Sequence, residues 1–151
     1  VKSMGGDSAS KPADLLPHGQ SMVLIDRIVR WDSDSICCQT DSHKRTSNPL
    51  HRNNSLSAAN LIEYGAQAMA LHEVLARKKD TDGIYRPISG MVSALKNVMI
   101  ARVNMDSIAE SLEIKASKEF VSLSGAIYVF EVLVGDRILA EGRITVNHQK
   151  V

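Results

Sequence analysis

The segment from Ser57 to Lys78 (SAANLIEYGAQAMALHEVLARK) limits what this chain can fold into more than any other. It contains no proline and is dense in Ala and Leu. It begins at a serine able to cap a helix and ends in Arg77, Lys78 and Lys79, which suit the negative end of a helix dipole. This predicts one long helix. Its first four turns are apolar almost all round, a pattern stable in water only when other elements enclose the helix.

The enclosing elements read as strands. Met22 to Val29 (MVLIDRIV) is rich in β-branched residues and predicts a strand. Asp32 to Ser35 predicts a turn, and Ile36 to Thr40 a second strand. Asp41 to Ser55 is a polar loop of about 15 residues containing Asn48-Pro49 and Asn53-Asn54, and loops of that size in compact domains are usually functional or disordered. After the helix, Ile88 to Ala101, Leu112 to Lys118, Ser122 to Val134 and Arg137 to Asn147 predict strands, with Gly135-Asp136 as a hairpin signal. In the last strand Ile138, Ala140, Gly142, Ile144 and Val146 share one face, and Leu139, Glu141, Arg143 and Thr145 the other, so one face is expected to be the more exposed. The reading is an α+β fold in which an antiparallel sheet of about five to six strands wraps a single helix.

At 151 residues and a formal charge of +1, the chain suits one domain, placed at residues 13–151 behind a flexible leader at residues 1–12. The first ten residues are rich in Gly and Ser with no apolar signal core. Ala13 to Leu16 predicts a helical turn before Pro17. The balanced charge excludes a nucleic-acid footprint, and no apolar run is long enough for a membrane span, so a soluble cytoplasmic protein is expected. Cys37 and Cys38 are neighbours in a predicted strand and point to opposite faces, so they are poorly placed to bridge each other or share a metal. Aromatic residues are only 4% of the chain, so the core must be mainly aliphatic. Trp31, Tyr85, Phe120, Tyr128 and Phe130 lie off the helix and only Tyr64 lies on it, which lets a sheet approach its Ala- and Gly-rich surface closely.

The polar residues of the helix carry its chemistry. At roughly 100° per residue, Asn60, Glu63 and Gln67 fall on one stripe, with apolar Leu71 and Val74 further along. This suits a site with chemistry at one end and room for an apolar chain at the other. A carboxyl group set among Ala, Leu and Ile loses hydration and becomes able to exchange protons near neutral pH. Gln67 has two readings: it touches substrate, or it satisfies backbone groups of a facing strand. His72 lies on the opposite side of the helix from Glu63 and reads as structural.

Two stretches carry a resemblance. Leu15 to Ile28 (LLPHGQSMVLIDRI) resembles the LPHRxPxLLxDRV opening of the β-hydroxyacyl-acyl carrier protein dehydratases, and Leu61 to Ala70 (LIEYGAQAMA) resembles their central LxxEAxAQAxA helix. They stand in the right order, about 45 residues apart, and the similarity spans roughly Lys11 to Asn147. Ile62 to His72 is more similar still to the IEYxAQAxAxH helix of the predicted dehydratases associated with aryl polyene clusters.

The resemblance implies a hot-dog fold and a homodimer or higher homo-oligomer with sites formed between protomers. It implies no cofactor, and a β-hydroxyacyl thioester of acyl carrier protein or coenzyme A as substrate. In the family a loop histidine takes the α-proton and a glutamate on the partner's helix protonates the departing hydroxyl. Glu63 occupies the glutamate position. His51, twelve residues before Glu63 where the family spacing is fourteen, is the candidate base, and His43, twenty before, is less suited. The family's Pro-Gly, whose amide receives the carbonyl, is replaced by Ser57-Ala58, placed with Asn60 and Gln67 as substrate-binding residues. These departures leave two alternatives open: an acyl thioesterase, or a non-catalytic subunit that binds acyl thioester or acyl carrier protein beside an active partner. His18 reads as packing near the first strand, His148 has no assigned role, and Asp26 and Arg27 match a motif expected to make a structural ion pair. The clusters Lys44-Arg45, Arg77-Lys78-Lys79, Arg86 and Arg102 offer charge complementarity to an acidic carrier protein. No His/Cys cluster at ligand spacing and no Gly-rich loop after a strand points to a metal or a nucleotide.

Overall fold

The Ser57 hydroxyl accepts from the Ala59 N–H at 3.3 Å, and the chain winds through a 3-10 turn, Ala58–Asn60, into the long helix. In the computed structural model, which describes residues 11–16, 20–80 and 90–149, that helix runs Leu61–Asp80 and is α2; α1 is a single turn, Pro12–Leu15. Arg77, Lys78 and Lys79 occupy its last turn, as the dipole favours.

Six antiparallel strands follow the predicted order: β1 Arg27–Trp31, β2 Ser35–Thr40, β3 Gly90–Ile100, β4 Leu112–Val121, β5 Gly125–Val134 and β6 Arg137–His148. They form one sheet in the order β1-β2-β4-β5-β6-β3. Gly135, at φ +56°, makes the β5–β6 turn, a conformation that costs a glycine nothing. Helix α2 lies across β2, β4, β5 and β6. It buries Leu61, Tyr64, Ala68, Leu71 and Leu75 against Ile114, Ala116, Tyr128, Phe130 and Ile144.

The close approach expected from the low aromatic content occurs at Gly65. A Cβ there would stand 2.4 Å from Cδ2 and 2.5 Å from Cγ of the buried Phe130 ring. The enclosure is not complete, however: Ile62, Glu63, Ala66 and Ala70 on the far side of α2 remain half-buried. Strand β3 stands at the sheet edge outside the main contacts of α2, with Met91, Val92, Leu95, Val98 and Met99 exposed. Its pairing with β6 shifts register between Val92 and Ala94 and again between Lys96 and Met99, where Asn97 takes φ +52°.

Three expectations are corrected. The strand read over Met22 to Val29 begins only at Arg27, because Gln67 takes the backbone groups that a ladder would have used: its Oε1 accepts from Leu24 N–H and its Nε2 donates to the Met22 carbonyl, both at 2.8 Å. Asp26 pairs not with Arg27 but with Arg45, at 2.5 Å, while Arg27 donates to the Gln39 Oε1. Burial raises the Asp26 pKa, but the Arg45 hydrogen bond and charge and the Asp41 N–H outweigh it and hold the carboxyl below its ordinary value. In β6, Leu139 is buried along with Ala140, Gly142 and Ile144, the β5–β6 register having shifted between Val132 and Leu133. The readings at residues 1–10, Pro17, His18, Tyr85, Arg86 and Ile88 lie outside the described residues.

Candidate active site

The loop between β2 and α2 is packed into the molecule along most of its length. A 3-10 turn, Ser42–Lys44, brings Ser42 and His43 inside, and Asn48 is buried behind it. The Tyr64 hydroxyl, one residue beyond Glu63, lies 2.9 Å from Ser42 Oγ and accepts from Asn48 Nδ2 at 3.0 Å. Beyond His51, Asn53 and Asn54 sit at φ 51° and 59°, the left-handed pair of a two-residue hairpin turn, and close a bridge between Arg52 and Ser55. Ser55 Oγ donates to Asp106 at 3.0 Å, and Arg52 Nη1 donates to the carbonyls of Pro49 and His51.

His51 is half-buried within this frame, its Nε2 3.2 Å from the His43 carbonyl oxygen. A carbonyl only accepts, so Nε2 carries a proton, and in the neutral ring Nδ1 is the nitrogen that holds the lone pair. The ring is therefore held in the tautomer of a base with a defined basic nitrogen.

Glu63 sits in the first turn of α2, where Gln67 Nε2 donates to its Oε1 at 3.3 Å. It is half-buried, less enclosed than its Ala, Leu and Ile neighbours implied, because the helix face it shares with Ile62 and Ala66 is not fully covered by the described residues. Gln67 is buried, and both ends of its amide are used on Met22 and Leu24, so its contacts match the backbone-satisfying alternative. Asn60 Nδ2 donates to the Leu50 carbonyl at 3.4 Å, tying the helix start to the histidine loop. Ser57 is the cap, and Ala58 beside it is half-buried. The polar stripe read from the helix is thus mainly joinery between α2 and the segments around it.

The other histidines among the described residues have structural partners. His72 is fully buried: its Nε2–H donates to the Asp32 carbonyl at 2.8 Å and its Nδ1 accepts from the Tyr128 hydroxyl at 2.5 Å, with Trp31 and Tyr128 packed edge-on. Burial pushes the His72 pKa down and that of Tyr128 up, consistent with two neutral partners. His43 is also buried with its pKa pushed down by desolvation. Its Nε2 donates to the Ile108 carbonyl at 3.1 Å, while Nδ1 has no hydrogen-bond partner among the described residues. His148 Nε2 lies 3.1 Å from Glu73 Oε1, fastening the end of β6 to α2. A cavity of about 300 Å³ lined by Arg30, Trp31, Asp32, Ser35, Ile36, Cys37, Lys115 and Ser117 shares no residue with the His51 and Glu63 region. Cys37 and Cys38 are free and buried.

Sequence reasoning missed Asn48 and Ser42, buried polar residues inside a segment read only as a polar loop. The signal was Tyr64, the lone aromatic on a helix otherwise built from small and aliphatic residues, whose hydroxyl needs partners once buried.

One long helix laid on a six-stranded antiparallel sheet, preceded by a packed loop bearing a histidine and carrying a glutamate in its first turn, is the hot-dog fold. The chain belongs to the ApeP-like family: the ApeP dehydratase profile matches residues 10–150. The protein is accordingly dehydratase-like, of the 3-hydroxyacyl thioester type that its two motifs resemble. Among solved structures, it superposes on the dehydratase heterocomplex ApeI:P of Xenorhabdus doucetiae with a TM-score of 0.81, at 19% identity over 93% of this chain and 92% of that one. A mutant thioesterase of Pseudomonas aeruginosa gives a TM-score of 0.58, at 9% identity over 83% and 81% of the two chains. A hypothetical thioesterase of Streptococcus pneumoniae, solved with coenzyme A, gives 0.56 at 12% identity over 82% and 84%. No curated protein matches the chain.

Proposed function

We propose that this protein removes water from a 3-hydroxyacyl thioester, carried by acyl carrier protein or coenzyme A, in polyene or fatty acid biosynthesis. His51 Nδ1 takes the proton from C2. Glu63, in its protonated form, gives a proton to the hydroxyl on C3. The C2–H electron pair becomes the C2–C3 double bond, and the C3–O bond breaks to release water. Ser57 and Ala58 stand at the helix start, where free N–H groups and the positive end of the dipole would polarise the thioester carbonyl. The observation that carries this reading is the His51 ring, held by the His43 carbonyl in the tautomer that leaves Nδ1 basic.

A complete site is proposed to need a second hot-dog subunit, either a copy of this chain or a related one, so that Glu63 of one meets His51 of the other. The exposed apolar edge strand β3 and the half-buried face of α2 support this, and the Xenorhabdus doucetiae relative is described as a heterocomplex. Acyl carrier protein as the carrier is supported, among the described residues, by exposed Lys79 and Arg102 and by half-buried Lys78. Lys44 and Arg45 are engaged with Asp41, the Ala109 carbonyl and Asp26. Two free cysteines, and no helix among the described residues long and apolar enough to cross a membrane, suit a cytoplasmic setting.

The test is conversion of a 3-hydroxyacyl thioester to its 2-enoyl form by the assembled protein. Glu63→Gln and His51→Ala are each expected to lower kcat by about 100-fold or more. Wild-type turnover in both variants would refute the assignment. Release of free thiol instead of enoyl product would favour the thioesterase, and carrier binding without turnover the silent subunit.

A further inference from the structure

The side chain of Asn48, 7% exposed, has each of its polar positions engaged. Its Oδ1 accepts from Leu50 N–H at 2.8 Å. Its Nδ2 donates to the Ser42 carbonyl at 2.9 Å and to the Tyr64 hydroxyl at 3.0 Å. Reversing the amide would set an oxygen against the Ser42 carbonyl and an N–H against Leu50, so the network has one arrangement. Tyr64, accepting from Asn48, also shares a hydrogen bond with Ser42 Oγ at 2.9 Å, in which either hydroxyl can donate. The backbone adds two bonds: Asn48 N–H donates to Arg45, and the Asn48 carbonyl accepts from His51 N–H at 3.2 Å.

Both ends of the His51 hydrogen bond converge on this one residue. The imidazole is carried by a backbone whose Leu50 and His51 N–H groups both end on Asn48. Its acceptor, the His43 carbonyl, belongs to the residue after Ser42, whose own carbonyl Asn48 holds. The third partner, Tyr64, adjoins Glu63 on α2. We propose that Asn48 is a positioning residue for the dehydration site, acting through His51: it fixes the ring's protonated nitrogen and its aim, and registers that loop against the helix turn that carries Glu63. The inference rests on His51 as the base. Fully satisfied buried networks of this kind hold a single geometry, and a displacement of about 1 Å at a reacting group is enough to cost about 100-fold in rate.

Two variants test it in the full-length protein. Asn48→Ala removes all three side-chain bonds. Tyr64→Phe removes only the hydroxyl and keeps the ring in place. Each folded variant is read for kcat and KM on a 3-hydroxyacyl thioester, for the pH profile of kcat, and for deuterium exchange at the imidazole C2–H of His51 and His72 by mass spectrometry. For Asn48→Ala the expected result is a fall in kcat of about 10- to 100-fold, with KM changed much less and the acid limb of the profile displaced. Exchange at His51 quickens while exchange at His72 stays as in the wild type. Tyr64→Phe gives a smaller loss in the same direction, and the double variant loses less than the product of the two because both act through one network. Wild-type kcat, pH profile and His51 exchange in a folded Asn48→Ala would overturn the proposal. So would equal quickening at His72, which would mark general loosening. If Asn48→Ala does not fold, Tyr64→Phe decides by the same readouts. If His51→Ala keeps full turnover, the assignment of His51 as the base fails, and the exchange data still show whether Asn48 orients His51.

Discussion

Replacing Gly65 by alanine sets two effects of opposite sign against each other. In an exposed helix interior the change is worth about 1 kcal/mol of stabilisation, because glycine gives up more backbone freedom on folding. Here the added methyl would lie 2.4 Å and 2.5 Å from ring carbons of Phe130, where ordinary contact begins at 3.4 Å, so helix and ring must separate by about 1 Å. Phe130 is fully buried and packed from β5, and the ring has no exposed side to turn toward. Overpacking costs about 1–3 kcal/mol, and contacts this short against a fully buried ring put it at the upper end, about 3 kcal/mol, so a net destabilisation of about 2 kcal/mol remains after the gain of about 1 kcal/mol in helix propensity. For a chain of this length that lowers Tm by about 4–8 °C. The decisive measurement is a double-mutant cycle by urea denaturation using Gly65→Ala, Phe130→Leu and both together. Phe130→Leu alone leaves a void, while in the double variant the new methyl helps to fill it, so the pair should be markedly less destabilised than the sum. Additive losses, or a Gly65→Ala protein as stable as the wild type, would refute the claim that the helix is narrow because the sheet lies against it.

Two further outcomes follow from other parts of the structure. Burial lowers the pKa of His43 and His72 below the ordinary 6.5, so the unfolded chain binds more protons just below that pH. Stability is therefore full above about pH 6.5 and falls as pH drops through the folded pKa values. The urea midpoint should show this slope, and His43→Leu should reduce it, while Asp26→Asn should lower the midpoint throughout the range above 3.8, where the ionised carboxylate pairs with Arg45, and flatten the fall at more acid pH. On the edge strand, Leu95→Lys with Val98→Asp should leave the monomer folded, since both side chains are exposed, yet lower the assembled mass in light scattering and abolish turnover. Unchanged mass would exclude β3 as the subunit contact.

The parts of the fold legible in the sequence were those with local causes. The helix was marked by its capping serine, its missing prolines and its basic last turn, and the β5–β6 hairpin by Gly135-Asp136. Each signal sits within a few residues of the structure it produces. The segment Met22 to Val29 was misread because its backbone partners come from Gln67, more than forty residues away, and no periodicity records a side chain standing in for a strand. The same distance effect hid the loop chemistry. Asn48 looked like a turn residue beside Pro49, and its role depends on Tyr64 and Ser42 meeting it in space. The apolar run Ile88 to Ala101 predicted a strand but not its place in the sheet, because composition cannot tell a strand buried within one chain from one left at an edge. Glu63 was singled out by the polar stripe of the helix and, with His51, by motif resemblance, whereas the commitment of Asn60 and Gln67 to backbone carbonyls and amides needed coordinates.

The irregularities of β3 bear on a hazard that any open sheet edge presents. A long, flat apolar edge offers its free N–H and C=O groups to any extended chain, and can recruit copies without limit. With register breaks at Val92–Ala94 and Lys96–Met99, and Asn97 turned to positive φ, this edge is cut into short ladders separated by kinks. An indiscriminate strand finds only a few bonds in a row before the pattern slips, so the same irregularities that spoil β3 as a template for aggregation restrict it to a subunit shaped to follow them.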